Sequence, residues 1–187
     1  MRVADITTLR DDMDIPRPNR LVIPLGDFGD EVPESHFGQV TDCVVTFTDA
    51  LCDYLNTSAP EIVRWWSAPV LPYGPARARK GHQAALGLLP NKWFDTVAAL
   101  VDQGLTWCDR VILVCATTEQ ANILRDHLPM LREFNRDVVF VCLVHGDTTP
   151  ELIHELGEML WEGCHDSSGE VGPLHDHPRV SSRHAGV

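Results

Sequence analysis

Arg110-Val111-Ile112-Leu113-Val114-Cys115-Ala116-Thr117-Thr118-Glu119-Gln120-Ala121-Asn122 is the stretch on which the fold turns. Val111 to Cys115 is an unbroken apolar run, and a strand without polar alternation is one covered on both faces, as in a parallel sheet. Thr117 to Asn122 then opens a helix predicted to reach about Phe134, with Pro129 expected to kink it. A buried strand feeding directly into a helix is half of a βαβ unit.

Its companions lie on either side. Val138 to Val144 reads as another buried strand, followed by a turn at His145-Gly146-Asp147 and a helix from Pro150 to Trp161 begun by Thr148 or Thr149. Upstream, Leu21 to Leu25 is the first strand. Val44, Phe47, Leu51 and Leu55 then recur at helical spacing, predicting a helix over Asp42–Leu55 with Asp42 as its N-cap. Ile62 to Leu71 reads as a strand carrying Trp65 and Trp66, and a helix from about Pro90 to Gly104 puts Trp93, Val97, Leu100 and Val101 on one face. This alternation predicts an α/β fold of three layers, a mostly parallel central sheet flanked by helices. Residues 1–19 read as an N-terminal arm, 20–172 as the α/β domain and 173–187 as a flexible His/Pro/Ser tail.

The 187 residues carry a formal charge of −12, which argues against general affinity for nucleic acid or an anionic membrane. The only evident basic cluster is Arg77, Arg79 and Lys80. No apolar run is long enough to span a bilayer, and Met1 to Asp14 is acidic and polar rather than a signal peptide, so a cytoplasmic protein is expected. The six cysteines, at 43, 52, 108, 115, 142 and 164, are scattered without a C-x-x-C, a pattern of buried small hydrophobes rather than disulfides or zinc ligands.

Between the first strand and its helix runs Pro24-Leu25-Gly26-Asp27-Phe28-Gly29-Asp30-Glu31-Val32-Pro33-Glu34-Ser35-His36-Phe37-Gly38-Gln39-Val40-Thr41-Asp42, which holds five carboxylates and one imidazole. So many acids repel one another unless water or a cation lies among them. One reading is a solvated acidic turn. The other takes Glu34, His36 and Asp42 as ligands to a divalent metal, zinc or manganese by donor type. A loop leaving a strand of an open α/β sheet is also where ligands collect.

Taken in order, these clusters resemble the creatininase family of metal-dependent amidohydrolases. The family opens with P-x-G-S-x-E-x-H-G and then T-D at a helix start; Ile23-Pro24-Leu25-Gly26 and Thr41-Asp42 match. Its strand ending in Y-G is matched by Ala68-Pro69-Val70-Leu71-Pro72-Tyr73-Gly74. Its N-G-H-x-x-N or N-G-H-x-E-N falls on Cys115-Ala116-Thr117-Thr118-Glu119-Gln120, and its H-A-G-x-x-E-T-S on His165-Asp166-Ser167-Ser168-Gly169-Glu170-Val171-Gly172.

The resemblance implies a parallel α/β sheet and roles by position. Asp42 takes the place of a carboxylate bridging two metals, and Glu119 that of a metal-binding Glu. His165 and Glu170 keep the spacing of a catalytic imidazole and its later acid. Thr117 stands where the family has a metal-binding His. In the first loop the family's Glu and His fall on Gly29 and Glu31 without gaps, or on Glu34 and His36 if the loop has lengthened.

The implied chemistry is hydrolysis of a C–N bond in a cyclic amide, formamide or peptide. A cation, Zn2+ or Mn2+, lowers the pKa of a bound water, and His165 passes a proton to the leaving nitrogen. The rival is a catalytically degenerate subunit that binds or scaffolds a partner without metal. A nucleotide-binding domain is disfavoured, because no G-x-G-x-x-G or G-x-x-x-x-G-K-[ST] follows any strand. Family members commonly assemble, so a homo-oligomer, or a hetero-oligomer with a related subunit, is expected. Trp65, Trp66 and Trp93 are weighed either as its anchors or as core.

Overall fold

A computed structural model describes residues 18–27, 39–58, 62–75, 87–134, 138–142 and 149–162. The main sheet holds strands β1 (Asn19–Leu25), β2 (Arg64–Ser67), β5 (Arg110–Cys115) and β6 (Val138–Cys142) in the order β2-β1-β5-β6, and every pairing is parallel. Strands β3 (Gly74–Pro75) and β4 (Gly87–Leu88) make a separate parallel pair.

The helices are α1 (Gln39–Ser58), α2 (Pro90–Leu105), α3 (Thr118–Phe134) and α4 (Pro150–Glu162). From β1 the chain steps outward to β2, then returns past β1 to β5 and continues to β6. Parallel crossovers keep one hand, so reversing direction moves the covering helix to the opposite face. Accordingly α1 and α4 pack on one face, against Val22, Trp65, Ile112 and Val114. Helices α2 and α3 pack on the other, against Leu21, Ile23, Leu25, Trp66, Val111, Leu113 and Cys115. This is the expected three-layer α/β architecture.

Several boundaries differ from the sequence reading. Helix α1 begins at Gln39, so Asp42 lies inside its first turn and is not the N-cap. The cause is Thr41, whose buried side chain docks on the end of β1 and draws the helix start towards the sheet. The second strand is cut short. Pro69 has no N–H to donate, so the ladder stops at Ser67, and Ala68 N to Val22 O (2.8 Å), Leu71 N to Pro24 O (3.0 Å) and Gly26 N to Leu71 O (2.8 Å), with a single bridge at Leu25–Leu71, carry the pairing on. Leu100 is 37% exposed, and Phe94 and Gly104 join Trp93, Val97 and Val101 on the buried face of α2.

Trp65, Trp66 and Trp93 are all fully buried, so none is a surface anchor for an assembly. Trp65 and Trp66, adjacent in a strand, point to opposite faces of the sheet and seed one core each. Strand β2 is an edge, and Asn56 covers it: Trp65 N donates to Asn56 Oδ1 at 3.0 Å, and Asn56 Nδ2 donates to Trp65 O at 2.9 Å. Cys52, Cys108 and Cys115 are buried and in no disulfide, and burial pushes Cys52 up to about 12, as expected of an inert core cysteine. No helix among the described residues is long and apolar enough to cross a membrane.

Candidate functional site

Because all four strands of the main sheet are parallel, their carboxyl ends share one edge. The chain departs from β1 in one direction and returns to its other side at β5, which makes the β1/β5 exit the switch point of the sheet. In open α/β sheets this crevice is where ligands are received.

Two side chains organise that exit from the β5 side. Thr117 caps α3, its Oγ1 accepting from Gln120 N at 3.2 Å. Gln120 reaches back, its Oε1 accepting from Ala116 N (2.8 Å) and Thr117 N (3.2 Å). This is a capping box, written in the sequence as Thr117-x-x-Gln120. Gln120 does more than cap. Its Nε2 donates to Gly26 O at 2.8 Å, so a fully buried amide ties the exit of β5 to that of β1. Two N–H groups on one side and a carbonyl on the other allow only one orientation of the amide.

From the other helix, Thr41 Oγ1 accepts from Asp27 N at 3.1 Å and lies 3.3 Å from Asp27 O as its donor. The dipeptide Gly26–Asp27 is thus clasped between the first turns of α1 and α3. Gly26 has to be glycine here, since a Cβ would stand 2.6 Å from Thr41 Oγ1. The Asp27 carboxylate rests against Gly74, where a Cβ would lie 2.4 Å from Asp27 Cγ. Gly26 N also donates to Leu71 O at 2.8 Å, which brings the Tyr73-Gly74 turn to the same edge.

Asp42 and Glu119 each adjoin one of the clasping residues. Asp42 is exposed and Glu119 half-buried, and both stand in the first turn of their helices, where the dipole favours a negative charge. Glu34, His36, His165 and Glu170 lie outside the described residues, as do Gly29, Glu31 and the basic cluster at Arg77, Arg79 and Lys80. Among the described residues no group of three or more His, Cys, Asp or Glu is placed to hold a metal. The oxygen donors of Asp42 and Glu119 suit a divalent cation such as manganese or zinc. Thr117 does not, being a neutral hydroxyl engaged in capping. Thr41, Gln120 and Asp27 were not singled out from the sequence, although the T-x-x-Q spacing was there to be read.

The described fold is that of the creatininases. A creatininase complexed with creatine matches with a TM-score of 0.56 at 16% identity, over 91% of this chain and 65% of that one. A manganese creatininase matches at 0.55 and 16%, over 83% and 63%, and a Zn–Zn form at 0.53 and 15%, over 91% and 65%. The chain therefore spans somewhat under two thirds of these proteins, 63 to 65% of their length. No protein-family model and no curated protein sequence matches it.

Proposed function

We propose that this chain is a divergent creatininase-like amidohydrolase, cleaving a C–N bond of a cyclic amide, formamide or peptide in the β1/β5 crevice. The observation that carries the reading is the clasp. Thr41 and Gln120 both grip Gly26–Asp27, so the neighbouring Asp42 and Glu119 are carried by two helix starts at adjacent strand exits of a creatininase-like fold. Glu34 and His36 are the further ligands proposed from the first loop. A divalent ion, when bound, makes its water more acidic and polarises the scissile carbonyl.

The remaining roles belong to side chains. His165, neutral at the outset, accepts a proton and delivers it to the leaving nitrogen, and Glu170 orients or balances the imidazolium. Asp42 and Glu119, in the first turns of α1 and α3, place their carboxylates where a cation is to be received.

One observation favours a second reading, a degenerate subunit that binds a partner without metal. Thr117, at the place of a metal-binding His in the resemblance, is committed to capping α3. Metal analysis of untagged protein grown in supplemented medium, with an amide and peptide hydrolysis panel, separates the two. The hydrolase reading expects bound manganese or zinc and a turnover that chelation or His165→Ala abolishes. Protein free of metal and inert on the whole panel would leave the degenerate subunit.

A further inference from the structure

We infer that the starts of α1 and α3, on opposite faces of the sheet, form and open as one unit, coupled through the single peptide group between Gly26 and Asp27. The inference goes beyond the proposed activity and does not depend on it. A trans peptide group presents its C=O and its N–H in opposite directions, and here each is taken by a side chain from a different helix. Gly26 O accepts from Gln120 Nε2 at 2.8 Å on the α3 side, and Asp27 N donates to Thr41 Oγ1 at 3.1 Å on the α1 side. The two helices otherwise belong to different cores, α3 giving Ala121 and Leu124 to one and α1 giving Val44 and Phe47 to the other.

The bonds also run head to tail. Ala116 N donates to Gln120 Oε1 at 2.8 Å, the same side-chain amide donates to Gly26 O, and the peptide group that accepts there donates from Asp27 N to Thr41. In a conjugated amide, a hydrogen bond accepted at oxygen makes the N–H a stronger donor, so aligned amides polarise one another and gain more together than singly. Gln120 is fully buried and Thr41 only 5% exposed, which keeps water from standing in for a lost member. Removing the Thr41 hydroxyl therefore weakens a bond that Thr41 does not touch, that of the Ala116 amide at the start of α3. Coupling is reciprocal, so removing Gln120 loosens the Asp27 amide likewise. Asp42 and Glu119 follow Thr41 and precede Gln120 directly in the chain, so a ligand that orders either helix start orders the other.

Native-state amide hydrogen exchange, read by NMR on the isotope-labelled full chain, tests this. Each rate is taken relative to that of Leu113, a fully buried strand residue that reports opening of the whole molecule, so a general loss of stability does not raise the ratio. Thr41→Val is expected to raise the ratio for Ala116 about 3- to 10-fold, and Gln120→Leu that for Asp27 by a similar factor. Adding Thr41→Val to Gln120→Leu should move Ala116 no further, because the path is already cut. Thr41→Ser keeps the hydroxyl and should leave Ala116 as in the unaltered protein. An Ala116 ratio unmoved by Thr41→Val, moved as much by Thr41→Ser, or moved as much without Gln120 as with it would overturn the inference. If Thr41→Val does not fold, Thr41→Ala, which removes the hydroxyl and adds no bulk beside Gly26, carries the same expectation.

Discussion

The β1/β5 exit and the flank where α1 meets α4 both join elements through polar side chains, yet they do so under opposite conditions. At the exit, Gln120 is fully buried and all of its amide atoms are engaged. On the flank, Tyr54 Oη donates to Glu158 Oε1 at 3.0 Å and shares a 2.6 Å hydrogen bond with His154 Nδ1, all of it exposed, with the Tyr54 ring against Gly157. The flank has the titratable groups, and the exit clasp has neutral ones. Burial explains the division: a neutral amide can be fully satisfied without water, whereas exposed charges are solvated cheaply and gain little from one another. A cluster of His, Glu and Tyr is therefore weak evidence of a site here, and a buried glutamine at a sheet switch point is stronger evidence of one.

The largest effect expected from breaking this contrast is Gln120→Leu. It strands Gly26 O and the amides of Ala116 and Thr117 at once, and should cost about 2–4 kcal/mol in urea unfolding. Gln120→Glu sharpens it. Opposite Gly26 O a carboxylate is repelled and a carboxylic acid can donate, so the folded pKa of the new group lies above its unfolded value. The stability it contributes is present below the unfolded pKa and is lost as pH rises through the folded one. This variant should thus recover stability, relative to the unaltered protein, between neutral and mildly acidic pH. A flat difference across that range would mean that the site is wet.

Gly74→Ala comes next. Its Cβ would stand 2.4 Å from Asp27 Cγ, so the carboxylate must move, at about 1–3 kcal/mol by thermal or urea unfolding. Removing the obstruction with Asp27→Ala in the same chain should restore part of that loss. Tyr54→Phe on the flank is the smallest, about 0.5 kcal/mol or less, since water replaces both partners. A flank substitution that outweighs the glutamine would invert the comparison.

Much of the architecture was legible before any coordinates. Val111–Cys115 announced a strand covered on both faces, and the structure places β5 between β1 and β6 with a helix-lined core on each side. Helix α2 and the start of α4 were read correctly as well, because Pro90 and Pro150 mark first turns. The error at Asp42 was of another kind. Side-chain chemistry favours Asp as an N-cap, but the register of α1 is set by Thr41 reaching a residue fourteen positions earlier, which no local rule can see. The surroundings of the candidate ligands were less legible still. Asp42 and Glu119 were found as acids at strand exits, whereas the role of Gln120 depended on a bond spanning ninety-four positions.

By itself, the sequence determined the periodicities, and with them the element types, the two-faced burial of the strands and the capping box, since these depend on neighbours within a few residues. Only the tertiary structure decided which exits adjoin. Strand order is set by long-range pairing, and that pairing puts Gly26 against Gln120, gives Thr41 its partner, and brings two separate helix starts to one edge of the sheet.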